Sequence, residues 1–216
     1  MRSPTFLTDP LIPLVADSST VINLISTGCA PTIIKAVPNP IVVVDVIPGE
    51  LDTGRQRGRV HADRLQVLVA AGHIEIVTLS DAGWLHFETL VAGPAPQTLD
   101  DGEAATISYA VEHGAVAIID ERKGTRLCAS RFPSLGVVST VDVLLHPEVR
   151  HKLGDAAFTD AVFAALRDAR MAVFPRQLDD ILRIICPERA VQCLSLPKAF
   201  RALAPNPTPA EVERSG

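Results

Sequence analysis

The sequence predicts an α/β protein: a parallel central sheet flanked by helices, followed by a C-terminal helical extension. Three observations point there. Short continuous apolar runs, Ile12–Ala16 and Ala115–Ile119, suit strands buried on both faces. They alternate with segments of helical period. The clearest is Asp101–His113, where Ala104, Ile107, Ser108 and Val111 share one face. Hydrophobic residues make up 47% of the chain but aromatics only 4%, so the core must be built from Val, Ile, Leu and Ala.

The elements follow in order. Ile12–Ala16 reads as a strand ending at Asp17. Ser18, Ser19 and Thr20 then offer caps for a helix through Val21, Leu24 and Ile25, which Gly28 stops. A second helix covers Ala30–Val37, and Pro38-Asn39-Pro40 turns the chain into a strand at Ile41–Val44. A helix over 46–51 would carry Glu50, against the opposition of Pro48 and Gly49. Gln56–Ala71 is amphipathic, Ile74–Val77 is a strand, Ala82–Leu90 a helix and Gly93–Gln97 a loop. After the Asp101–His113 helix, Gly114 breaks the chain before the Ala115–Ile119 strand. Thr125–Ser130 is helical, Gly136–Val138 a strand and Thr140–Leu145 a helix. Two further helices fall at Asp160–Met171 and Arg176–Ile185. This alternation argues for a parallel sheet covered on both faces, with a ligand crevice at the strands' carboxyl ends.

Composition sets limits on function. A net charge of −5 does not mark a strong nucleic-acid binder, so the placement of the basic residues matters more than their number. Four cysteines without a CxxC pair read as buried reduced thiols. Prolines 4, 10 and 13 interrupt any leader-like apolar run, and Lys35 and Asp45 break the longest apolar stretch. A cytoplasmic protein without a membrane segment is expected. No GxSxG, P-loop or GxGxxG occurs, which removes the main support for serine-hydrolase, NTPase and dinucleotide readings. The histidines have no ligand spacing. Trp84 and Phe87 are expected to pack rather than to stack on bases.

The acids carry the chemistry. Asp17 and Asp120 each end an apolar run, Glu103 sits in the first turn of the clearest helix, and Glu50 and Glu121 complete the set. Scattered carboxylates build a poor core, but they supply the oxygen ligands that hard divalent cations take. Each also has a bland reading. Asp17 caps the next helix, Glu103 answers the helix dipole as Asp100 and Asp101 do, and Asp120 with Glu121 ends a strand in a solvated turn.

Three segments together resemble the PIN-domain family, in particular its ribonuclease toxins with an LDxGEA segment and a D-D/E pair. They are Asp17-Ser18-Ser19 with Val21-Ile22-Asn23-Leu24, then Leu99-Asp100-Asp101-Gly102-Glu103-Ala104, then Ile118-Ile119-Asp120-Glu121-Arg122. The likeness covers roughly residues 12–146. It implies a Mg²⁺- or Mn²⁺-dependent ribonuclease, a toxin of a toxin–antitoxin pair, with RNA and an antitoxin protein as partners and a homodimeric state. It implies Asp17, Glu50, Glu103 and Asp120 as the catalytic acids, with Glu121 replacing or assisting Asp120 at the metal. Ser18 or Ser19 matches the small hydroxyl residue after the first acid. Residues 1–146 are read as the PIN-like catalytic domain, 147–203, with two amphipathic helices, as a helical extension, and 204–216, with Pro205, Pro207 and Pro209, as a disordered tail. The sequence departs from the family at Ser139-Thr140-Val141-Asp142, where relatives usually carry G-T-x-G. Asp142 there either adds an acid near the site or caps a helix.

Two basic runs flank the acids. Arg57 and Arg59 lie in the denser one, and Arg122, Lys123 and Arg126 follow the Asp120 strand. Such groups bind phosphate backbones around an acidic centre; otherwise they form a solvated face. The competing functions are a non-catalytic PIN-like interaction module and a structure-specific DNA nuclease.

Overall fold

The computed structural model describes residues 7–55 and 60–201. Strand β1 (Leu14–Ala16) leads through helices α1 (Ser18–Ser26) and α2 (Ala30–Ala36) to β2 (Ile41–Val44). Helices α3 (Val46–Arg55) and α4 (His61–Ala70) lead to β3 (Ile74–Val77), and α5 (Asp81–Val91) and α6 (Asp101–His113) to β4 (Val116–Ile118). Helix α7 (Arg122–Arg131) precedes β5 (Gly136–Val138). Then come α8 (Thr140–Leu144), α9 (Pro147–Leu153), α10 (Asp155–Asp168), α11 (Leu178–Ile185), α12 (Pro187–Ala190) and α13 (Lys198–Arg201).

The strands form one sheet in the order β3-β2-β1-β4-β5, and every pairing is parallel. The central register sets Leu14 between Ile41 and Val116. Alternation along each strand splits the core into two layers. Leu14, Ala16, Ile41, Val43, Val116 and Ile118 face a large cluster that includes residues of α1, α2, α4 and α8–α12. Val15, Val42, Val44, Ala117 and Ile119 face a second cluster with α5, α6 and α7. Both faces are covered, as the apolar runs require. The extension shares the first cluster with the sheet, through Val149, Phe158, Val162, Leu166 and Ile181.

The strand order, not the strand direction, reverses between β1 and β4. The connection after β1 goes to one neighbour and the connection after β4 goes to the other, which opens a crevice at their carboxyl ends. Asp17 and Asp120 follow those two strands.

Several boundaries differ from expectation. Helix α3 runs to Arg55, because Pro48 and Gly49 fall in its first turn, where backbone N–H groups have no helical acceptor. The amphipathic segment expected from Gln56 begins as α4 at His61, and residues 56–59 lie outside the described set. Helix α9 is additional. Gly154, with φ 76°, separates it from α10, which starts five residues before the expected Asp160 and ends at Asp168. Residues 175–177 form a 3₁₀ turn, so α11 starts at Leu178. Trp84 does not pack into the core. It is 43% exposed and meets Phe87 edge to face at 5.0 Å, because α5 turns Gly83 and Leu90 inward instead. The expected tail, 204–216, lies outside the described residues. Among the described residues no helix is long and apolar enough to cross a membrane.

Candidate active site

Asp17 sits in extended backbone directly after β1 and caps α1. Its Oδ1 accepts from Thr20 N at 2.7 Å, and Ser19 Oγ donates to both carboxylate oxygens at 2.9–3.0 Å. The bland reading of Asp17 is therefore true, and it is incomplete. The side chain is only 6% exposed. Burial, and then the Asp120 carboxylate, push its pKa up to about 6. A cap alone has no need of such burial.

Asp120 stands two residues beyond β4 and is equally buried. Its Oδ1 accepts from Thr140 N at 2.8 Å; its Oδ2 accepts from Thr140 Oγ1 at 2.6 Å and Asn23 Nδ2 at 2.8 Å. Burial raises its pKa, and these three donors oppose the rise. Glu121 points outward and is exposed at the N-cap of α7. Its charge still reaches Glu103.

Glu103 lies in the first turn of α6, but Asp100 supplies the cap, accepting from Glu103 N at 2.9 Å. The Glu103 side chain is 3% exposed, and its Oε1 has no hydrogen-bond partner among the described residues. Burial drives its pKa up to about 8, reinforced by Glu121, Asp100 and Asp17 and opposed by Lys123. Glu50 projects from α3, half-buried, and accepts from Ser18 Oγ. Burial raises its pKa, the Ser18 bond lowers it, and Asp100 and Asp17 raise it further.

Asp17 is thus the shared electrostatic neighbour of Glu50 and Glu103, and Asp120 is the acid that acts on Asp17 itself. These acids gather at one end of the sheet. Among the described residues they do not close into a preformed group of three metal ligands. The donor set nevertheless fits a hard divalent cation. It offers oxygen only, each carboxylate has lone pairs beyond those its donors use, and Glu103 Oε1 is buried without a partner.

Two helix glycines give these acids room. A Cβ on Gly124 of α7 would collide with the Glu103 carboxylate and come within 3.0 Å of Ile119 Cγ2. A Cβ on Gly102 would collide with the carboxylate of Glu50.

The other expected site residues are placed as follows. Ser18 and Ser19 are half-buried and spend their hydroxyls on Glu50 and Asp17. Arg122 is exposed and Lys123 half-buried in the first turn of α7, beside Glu103. Arg57 and Arg59 lie outside the described residues. Ser139 caps α8 in a reciprocal box with Asp142: Ser139 Oγ accepts from Asp142 N at 3.2 Å, and Asp142 Oδ2 accepts from Ser139 N and Oγ at 2.9 Å. Sequence reasoning assigned Asn23 and Thr140 no contact with Asp120, although Asn23 lies in a segment that carries the family resemblance and Thr140 is the threonine kept from G-T-x-G. The available signal was a polar residue inside the otherwise apolar Val21–Ile25 stretch, and a threonine opening a helix.

A family model described as a PIN domain matches residues 13–186. No curated protein and no solved structure matches the chain.

Proposed function

The chain belongs to the PIN-domain family, a nuclease-type fold, and from that premise we propose that it is a Mg²⁺- or Mn²⁺-dependent endoribonuclease. The observation that carries this is the pair of buried aspartates at neighbouring strand ends, Asp17 and Asp120, with buried Glu103 beside them. Three buried carboxyls whose pKa values are all raised are costly to ionise, and a divalent cation bound among them would offset that cost.

Asp17, Glu103 and Asp120 would hold the ion, with Glu50 and Glu121 at the edge. A bound divalent ion supplies a nucleophilic water at neutral pH and charge relief on the phosphoryl oxygens. The protein's own contribution is orientation. Thr140 and Asn23 fix the Asp120 carboxylate, Ser19 fixes Asp17 and Ser18 fixes Glu50. Arg122 and Lys123 stand where a phosphate backbone approaching Asp120 would meet positive charge. The toxin role, with an antitoxin partner and a homodimeric state, is supported by the sequence resemblance.

The deciding experiment is cleavage of a labelled RNA and of the same sequence as single-stranded DNA, with Mg²⁺, with Mn²⁺ and with EDTA. RNA cleavage that needs the metal and stops with EDTA is expected. Cleavage that survives EDTA, or no cleavage at millimolar metal, would sink the reading. Preferential DNA cleavage would move it to the DNA-nuclease alternative.

The two glycines give a second expected result. Gly124→Ala and Gly102→Ala should each lower RNA turnover by about tenfold or more, the scale seen when the surroundings of a metal ligand are disturbed. Stability should change by less than about 1 kcal/mol, since alanine's better helix propensity offsets the displaced carboxylate. Turnover and melting temperature measured on the same samples check this. A large stability loss with normal turnover in the folded fraction would mean the carboxylates do not need that space.

A further inference from the structure

Asp120 depends on the start of α8, because both Thr140 donors come from its first residue. What holds the start of α8 comes from far along the chain. Gln177 is 1% exposed, in the 3₁₀ turn before α11. Its Nε2 reaches Ser139 Oγ at 2.7 Å and Asp142 Oδ1 at 2.7 Å, while its Oε1 accepts from Phe174 N at 3.1 Å. Arg176 donates from Nη2 to Asp142 Oδ2 at 2.6 Å, and its guanidinium lies 5.4 Å from the Phe174 ring centroid. Both polar ends of Gln177 are therefore used in an interior where an idle amide would be costly.

We infer that Arg176 and Gln177 are positioning residues for Asp120: they grip the Ser139–Asp142 box from behind and so fix the Thr140 donors that orient the carboxylate. This rests on the proposed ribonuclease role for its effect on turnover, but not for its effect on Asp120. Arg176 has a second task. Asp142 carries a buried negative charge close enough to act on Asp120, and the Arg176 guanidinium is its counter-charge. Residue types support the division of labour. A planar guanidinium suits a carboxylate, and a primary amide with two donors can bridge a hydroxyl and a carboxylate at once.

The test uses the full chain with Arg176→Gln, Gln177→Leu and the double variant Arg176→Gln/Asp142→Asn. Four properties are read: melting temperature, Mn²⁺ binding without RNA by electron paramagnetic resonance, kcat and KM for RNA, and the side-chain carboxyl ¹³C resonance of Asp120. Arg176→Gln lies at the surface and should stay folded. It is expected to shift the Asp120 resonance, weaken Mn²⁺ binding and kcat about tenfold, and leave KM within about twofold, as loss of a supporting contact behind a ligand does. Asp142→Asn should restore the share of that loss that comes from the uncompensated charge, since its amide oxygen can still accept from Ser139 while the charge that Arg176 neutralises is gone. Mere docking of the extension would not be rescued by removing its second anchor. Unchanged Asp120 resonance and Mn²⁺ affinity in both folded single variants would overturn the inference. A raised KM that Asp142→Asn does not rescue would overturn it too, and make Arg176 a phosphate contact. If the wild type neither binds Mn²⁺ nor cleaves RNA, the ribonuclease reading falls. The Asp120 resonance then decides positioning alone: moved, it stands; unmoved, it falls.

Discussion

Asp17→Asn is expected to cut RNA turnover by about a thousandfold, equivalent to about 4 kcal/mol of transition-state stabilisation, while making the metal-free protein more stable. The two effects have one cause. Asparagine caps a helix about as well as aspartate, so the bond from Thr20 N survives and α1 keeps its start. What disappears is a buried negative charge that neighbours Asp120, Glu103 and Glu50. The wild-type carboxyl has its pKa raised from 3.8 to about 6 in the fold. A raised acid favours the fold only while protonated, so its contribution is lost as pH rises from about 4 through about 6. Removing it should therefore stabilise the protein above pH ~6, by a gain on the order of 3 kcal/mol that vanishes below pH ~4. Turnover assays and denaturant melts across this range decide the matter. A variant that keeps its turnover, or that loses stability at neutral pH, would show Asp17 to be a cap and nothing more.

Glu103→Gln should give the largest stability change. Burial and three neighbouring acids raise this carboxyl from 4.5 to about 8. The sign is the same as for Asp17 and the window lies higher. Wild-type stability falls as pH rises from about 4.5 through about 8, and glutamine removes the fall. Above pH ~8 the metal-free variant should gain on the order of 5 kcal/mol, or about 10–20 °C in melting temperature for a chain of this size. Mn²⁺ should narrow the gap. An ion that binds only the folded wild type at about a hundredfold its dissociation constant returns about 2.7 kcal/mol, and the variant lacks the anion that receives it. Calorimetry at pH 5, 7 and 9, with and without Mn²⁺, measures both parts. Equal melting curves for wild type and variant at pH 9 would mean that the buried carboxyl is solvated by some other route.

The sheet and the acids were legible for a simple reason: each announces itself within a few residues. Ile41–Val44 and Ala115–Ile119 are apolar without interruption, and only a strand with two covered faces tolerates that. Asp101–His113 carries its cap before it and Gly114, in the left-handed region, behind it. Asp17 and Asp120 could be placed at strand ends because those runs stop there. Other features have no local signal. Arg176 and Gln177 meet Asp142 across 34 and 35 residues, and nothing around them distinguishes a clasp from an ordinary polar turn. Asp142 had two readings in the sequence, and its cap geometry emerges only once α8 is in place. Helix α3 was obscured because Pro48 signals a break or a first turn with equal force. Trp84 shows the opposite failure. Its size argues for burial, yet the side of α5 that faces inward is set by Gly83 and Leu90.

Synthesis runs from the amino terminus, and the groups that hold Asp120 do not arrive together. Asn23 emerges first, Thr140 more than a hundred residues later and Gln177 later still. At the ~5–20 residues per second of translation, the acids are out of the ribosome for seconds before the clasp behind α8 can form. A nascent chain would thus carry every acid of the site and still lack the contacts that aim Asp120. Under the proposed ribonuclease role, a protein made beside messenger and ribosomal RNA gains a delay from this arrangement. Chains stalled with Asp120 and Thr140 outside the ribosome and Gln177 still inside should leave RNA intact, and released chains should not.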